Sequence, residues 1–256
     1  MRILGLAACF AVLSVSIVGQ KESAAGSITL AATVRDFTPN TNPDFERYVG
    51  DDRGIVAATL GVDGKPTYSG VSHPTITSAA TFNQWYHDVS GVNITIPTTL
   101  TLNETAVGSG IYRYSNSAYF PIDGQGFGNY GNTGHNFHFT TEIHTLFSYK
   151  PGQNFSFTGD DDVWVFINKS LVIDLGGVHG PESASVNLDT LGLTTGTTYT
   201  LDIFQAERHT TGSNFSLETS LVLASAAVPE PSTLTLAGIS LACGLFGYRR
   251  SRRLNS

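Results

Sequence analysis

The run Gly159-Asp160-Asp161-Asp162 sets three consecutive carboxylates directly ahead of an apolar stretch. Like charges this close repel, and each makes its neighbour harder to ionise unless positive charge stands nearby. No Lys or Arg occurs between Lys150 and Lys169. A bound cation is therefore the simplest compensation, and hard oxygen ligands suit calcium. A solvated acidic turn, whose charges repel weakly in water, is the alternative reading. His179, after Gly176-Gly177, and His209, after Glu207-Arg208, are placed either as ligand contacts beside these acids or as hydrogen-bonding groups within their own loops. Asp162 adds negative charge to the same ligand-binding region.

Other constellations carry less. His135 and His138 point to opposite faces of a regular strand. His138 and His144 share a face but lie ~20 Å apart at ~3.3 Å per residue, too far for one zinc ion. Glu207-Arg208 reads as part of a structural ion pair, with Asp174 or Asp202 as the partner of Arg208. A glycosidase needs two carboxylates facing each other across a sugar, and sequence spacing alone pairs none of these acids. The chain has no G-x-S-x-G, no H-E-x-x-H and no cysteine nucleophile outside its terminal segments. It therefore reads as a non-enzyme.

The elements that must position these groups are mostly strands. Val163, Val165 and Ile167 alternate with Trp164, Phe166 and Asn168, a period of two that predicts a strand buried on most of both faces. Asn168-Lys169-Ser170 reads as a tight turn and Leu171–Leu175 as the returning strand. Ser27–Arg35 alternates and predicts the first strand. Ser78–Asp88, with Ser78 as cap and Phe82, Trp85 and Tyr86 at helical spacing, predicts the one short helix. Val92–Ile96 and Thr99–Leu102 read as strands separated by Pro97. Ile55–Leu60 reads as a short strand, and Phe137–Tyr149, Val186–Leu188, Thr198–Phe204 and Phe215–Leu223 as further strands. In the glycine-rich loop 124–134, Phe127 and Tyr130 read as plugs of a sheet edge, with exposed stacking rings as the alternative. The expectation is an all-β fold: a single antiparallel β-sandwich over 27–223, with one short helix near 78–88.

Both ends read as processing signals. Residues 1–25 have a basic start at Arg2, an apolar run to Val18 and small residues Ser23-Ala24-Ala25, the pattern of a secretory signal peptide. A linker (224–233) holds Pro229-Glu230-Pro231, ahead of an apolar helix (234–248) and a basic tail (249–256). An ordinary single-pass anchor is the alternative for this tail. Cys9 and Cys243 both lie in these terminal segments, so the domain between them has no disulfide framework. The segment 26–228 holds 8 Lys and Arg against 19 Asp and Glu, net −11. That balance excludes a nucleic-acid partner, whose phosphates require cationic contacts.

The segment GDDDVWVFINKSLVIDLGGVH resembles the signature of the fibro-slime domain. The resemblance continues through RDF (Arg35–Phe37), PDFE (Pro43–Glu46), QWY (Gln84–Tyr86), YFPIDG (Tyr119–Gly124), HNFHFTTEI (His135–Ile143) and IFQAERHTTGSNF (Ile203–Phe215). That domain is similar to protective-antigen-type and GLEYA-type β-sandwiches. In the lectins of that group, two adjacent aspartates joined by a cis peptide and an Asn on a second loop hold calcium, and the ion holds a sugar. The resemblance implies Asp160, Asp161 and Asn214 as the metal ligands; an Asx-turn is the other reading of Asn214. Asp162 departs from the Gly common at that position. The tail resembles the PEP-CTERM sorting signal of Gram-negative bacteria. There the apolar helix anchors the protein transiently in the inner membrane, and an exosortase-type protease releases it. Together these imply an exported, surface-associated, calcium-dependent module that binds a glycan or exopolysaccharide of an extracellular matrix or biofilm. A structural matrix or protein-binding adhesion protein, with calcium only bracing loops, is the competing class, and a glycoside hydrolase the third.

Overall fold

A computed structural model describes residues 25–210 and 212–224. The expected signal peptide up to Ala24, the Pro229-Glu230-Pro231 box, the tail helix and the basic end lie outside the described residues. In chain order the strands are β1 (Ser27–Asp36), β2 (Gly50–Asp51), β3 (Ile94–Glu104), β4 (Tyr112–Asn116), β5 (Phe139–Ser148), β6 (Asn154–Gly159), β7 (Asp162–Ile167), β8 (Ser170–Leu175), β9 (Gly177–Val178), β10 (Glu182–Asn187), β11 (Thr198–Glu207), β12 (Phe215–Thr219) and β13 (Val222–Leu223). Among the described residues the one α-helix, α1 (Ala79–Asn83), lies between β2 and β3 and is shorter than expected; Ser78 and Thr81 form its capping box. Among the described residues no helix is long and apolar enough to cross a membrane.

The fold is the expected antiparallel β-sandwich, made from one sheet that turns over on itself. Its strand order is β10-β6-β12-β4-β3-β1-β5-β11-β7-β8, with β13 also on β5. β1 is the corner. It pairs with β3 along its whole length but with β5 only over Ala32–Asp36, so it hands the sheet from one layer to the other. One core fills the space between the layers, built from Leu30, Val34, Leu102, Ile143, Phe157, Val165, Ile203 and Phe215 among others.

β7 shows why alternation was informative. All six of its residues are buried. Val163, Val165 and Ile167 face the sandwich core. Trp164 and Phe166 face a second core, where the segment 37–86 packs Phe37, Phe45, Phe82, Trp85 and Tyr86 against the outside of β7 and β11. Asn168 and Lys169 take φ of 50° and 65°, the paired left-handed residues of a tight hairpin turn. Pro97 does not divide β3: opposite Thr33 of β1, it lies on the stretch whose other edge is free, since β4 meets β3 only at Asn103–Glu104. Phe127 and Tyr130 are 42% and 40% exposed, which corrects the expectation that they plug the sheet edge.

Candidate functional site

Asp160 and Asp161 are the link by which the chain leaves β6 in one layer and enters β7 in the other. Gly159 closes β6 under steric constraint: a Cβ there would lie 2.6 Å from the Phe157 ring and 3.0 Å from the Asn214 carbonyl oxygen. Asp161 turns the chain with a φ of 36°, and no cis peptide bond occurs among the described residues. The end of β11 and the start of β12 arrive at the same end of the sandwich. They bring Glu207, Arg208 and Asn214.

The three aspartates are buried, 6%, 4% and 0% exposed in order, which rules out the solvated acidic turn. Asn214 donates from Nδ2 to Asp160 Oδ2 at 2.6 Å, and its backbone N–H donates to Asp160 Oδ1. The Arg208 N–H donates to Asp161 Oδ2 at 2.5 Å. Asp162 was expected among the ligand contacts. Instead it is sealed in the second core, where Oδ1 accepts from Gly177 N at 2.7 Å and Oδ2 lies 2.6 Å from Arg208 Nε. Arg208 therefore bridges neither Asp174 nor Asp202. The Trp164 indole donates to Asp174 at 3.0 Å and His144 holds Asp202 at 2.6 Å. Arg208 also donates from Nη1 to the Thr75 carbonyl at 2.8 Å and stacks over Trp85 at 4.8 Å.

Glu207 is the residue that sequence reasoning under-weighted. Along β11, Ile203, Gln205 and Glu207 alternate with Phe204, Ala206 and Arg208, so Glu207 points to the sandwich side. It is fully buried, and neither carboxylate oxygen has a well-formed hydrogen bond, the Ser213 hydroxyl and the His209 N–H only approaching it. The Gln205 amide and the Ser213 hydroxyl, also fully buried, are likewise without a well-formed hydrogen bond. Desolvation, then the charges of Asp161 and Asp160, push the Glu207 pKa well above the carboxylate range. Desolvation also raises Asp161, against the pull of Arg208. It raises Asp160 against its hydrogen bonds from Asn214. Four buried carboxylates thus gather at this end, and the one guanidinium, Arg208, acts on Asp161 and Asp162. The signal available in the sequence was an acid in phase with Ile203 on an otherwise buried strand.

The histidines serve their loops. His179 contacts the carbonyls of Gly180 at 2.7 Å and Leu175 at 3.1 Å, while its charge lowers the pKa of Asp160 and Asp162. His209 lies 3.3 Å from Glu46, whose other oxygen meets His138 at 3.1 Å. Among the described residues no three His, Cys, Asp or Glu side chains form a ready-made metal cage. The groups that do converge on this end are the carboxylates of Asp160, Asp161 and Glu207 and the Asn214 amide, whose nitrogen faces Asp160.

Residues 128–232 match the PA14 domain, and residues 227–253 match the PEP-CTERM protein-sorting motif. The chain is 46% identical over 228 residues to protein psiQ of Dictyostelium discoideum, covering 84% of this chain and 23% of psiQ. It is 47% identical over 218 residues to psiR of the same organism, covering 78% of this chain and 22% of psiR. The chain thus spans less than a quarter of the length of these two curated relatives. Among solved structures, the PA14 sugar-binding domain from an RTX adhesin is 14% identical, covers 68% of this chain and 91% of that one, and superposes with a TM-score of 0.32. The chain thus carries a PA14 domain and a PEP-CTERM sorting motif, and over most of its length it is related to the fibro-slime-type psi proteins.

Proposed function

We propose that this chain is a cell-surface carbohydrate-binding module whose binding depends on calcium held by Asp160, Asp161 and Asn214, with Glu207 as a further carboxylate. The observation that carries the calcium is the charge imbalance: Asp160, Asp161, Asp162 and Glu207 are buried at one end of the sandwich, and the one guanidinium there, Arg208, is ion-paired with Asp162. Burying uncompensated carboxylates is costly, and a divalent ion removes that cost. Rotation of the Asn214 amide would turn its oxygen, in place of its nitrogen, toward the ion. The PA14 match supports a carbohydrate ligand, and the exposed rings of Phe127 and Tyr130 offer stacking surfaces on the same molecule. The PEP-CTERM motif supports export, transient inner-membrane anchoring and exosortase-type release at the bacterial surface, where such a module adheres to an exopolysaccharide. A glycan array run with calcium and with chelator tests this. Binding abolished by chelator is the expected result. A calcium-dependent melting temperature without any glycan signal would instead assign the ion to bracing the loops of a structural adhesion protein.

A further inference from the structure

A second polar array lies on the outer layer, in the segment between β2 and α1. His73 Nδ1 lies 2.6 Å from Asp52 Oδ1, and Ser69 Oγ lies 3.1 Å from His73 Nε2. An ionised carboxylate only accepts hydrogen bonds, so Nδ1 carries the ring hydrogen and Nε2 is left to accept from the Ser69 hydroxyl. The far oxygen of Asp52 is occupied too: Oδ2 accepts from Thr75 N at 3.1 Å and from Thr75 Oγ1 at 2.8 Å. Burial opposes the charge on Asp52, but the bonds from His73 and Thr75 outweigh it and hold its pKa below the usual range. Asp52 and His73 are each 7% exposed, whereas Ser69 is half-buried and Gly70, Val71 and Ser72 are open to solvent.

The backbone fixes this order. Ser69 N donates to the Ile55 carbonyl at 2.8 Å, and Asp52 N donates to the Gly176 carbonyl at 2.9 Å. A Cβ on Gly176 or Gly177 would strike the Asp52 backbone at 2.6 or 2.4 Å, so β9 seats Asp52 closely. Gly70, directly after the serine, has a φ of 88°. Among the described residues, the N–H groups of Gly70 and Val71 donate to no backbone carbonyl. A hollow of about 470 Å³ begins at Gly70 and runs between Tyr68, Phe82 and His87.

We infer that Ser69, His73 and Asp52 form a nucleophilic triad that takes small carboxylic esters, with the hollow beside Gly70 receiving one arm of the ester. Ser69 Oγ attacks the ester carbonyl as its proton passes to His73 Nε2, with the N–H groups of Gly70 and Val71 as the available donors to the oxyanion. The C–O bond to the alcohol breaks, and the departing oxygen takes the proton from Nε2. Water, deprotonated by the same nitrogen, then cleaves the acyl-serine to the carboxylic acid and regenerates Ser69. Asp52 is a positioning residue that holds the His73 tautomer. This inference does not depend on calcium or on glycan binding.

The test uses the purified protein, an alkyl fluorophosphonate probe with peptide mass spectrometry, and hydrolysis of p-nitrophenyl acetate. Wild type should be labelled on Ser69, and Ser69→Ala should lose both labelling and the hydrolysis above background. His73→Gln should slow labelling by roughly a hundredfold or more, the size of a lost general base. Asp52→Asn should slow it, because the carboxylate that holds the His73 tautomer is gone. Melting curves establish that each variant is folded; Ser69→Ala removes one oxygen and keeps the comparison valid if the others unfold. Wild type labelled no faster than Ser69→Ala, or labelled elsewhere, would overturn the inference and leave the array a brace for the loop.

Discussion

Glu207→Gln distinguishes a cation site from an acid that is only buried, because its two expected effects have opposite signs. Without calcium, the folded chain holds the Glu207 proton while the unfolded chain releases it near the ordinary value of 4.5. A raised acid pKa therefore costs stability as pH rises above that value, by about 1.4 kcal/mol per pH unit for one retained proton. Gln has no proton to retain and is free of that slope. In chelator the variant should thus melt above wild type, by a margin that widens from pH 5 to pH 7. Saturating calcium reverses the ranking. Wild type gains about 2.7 kcal/mol when free ion is a hundredfold above its dissociation constant. The variant, with one carboxylate fewer, should gain less than half of that. Scanning calorimetry at pH 5, 6 and 7, with calcium and with chelator, reads both effects. Wild type melting identically in calcium and chelator would refute the cation. A variant that melts below wild type in chelator would show that Glu207 has a partner on which the fold relies.

Four further outcomes are expected. Asp161→Ala should abolish the calcium gain and leave the fold intact, while Asn214→Ala should only weaken it, a neutral oxygen contributing less than a carboxylate; the same calorimetry reads both. Burial works to lower the His144 pKa, but hydrogen bonds to Asp202 and Glu142 outweigh it and hold it at about 9. Its contribution is complete below 6.5 and is lost as pH rises through 9, so urea midpoints should fall across that window and His144→Gln should flatten the fall. Trp164→Ala empties the second core and leaves Asp174 without its indole donor, and should cost about 3–5 kcal/mol by urea denaturation. Gly126→Ala would drive a methyl into the Asp36 carboxylate at a φ of 60° and should cost about 1–3 kcal/mol in the same assay.

What the sequence disclosed and what it hid separate by range. The two faces of β7, the Asn168-Lys169 turn and the capped start of α1 are written in windows of a few residues, where period and turn chemistry act. The burial of the acids is not local. Arg208 meets Asp161 from 47 positions away and Thr75 from 133, and no window contains such a pair. The second core that encloses Asp162 comes from the segment 37–86, whose strand pattern is weak: Ile55–Leu60 supplies only isolated bridges, from Val56 to Tyr68 and from Thr59 to Ser170. Composition nevertheless held a deeper clue than motif. Of the eight cationic side chains in 26–228, Arg35 and Lys65 are taken by Glu142, Arg53 by Glu182 and Arg113 by Glu218. Arg208 alone is ion-paired at the end of the sandwich where Asp160, Asp161, Asp162 and Glu207 gather. The deficit of positive charge is legible in a residue count. Its concentration at one buried point follows only when β6, β7, β11 and β12 converge there.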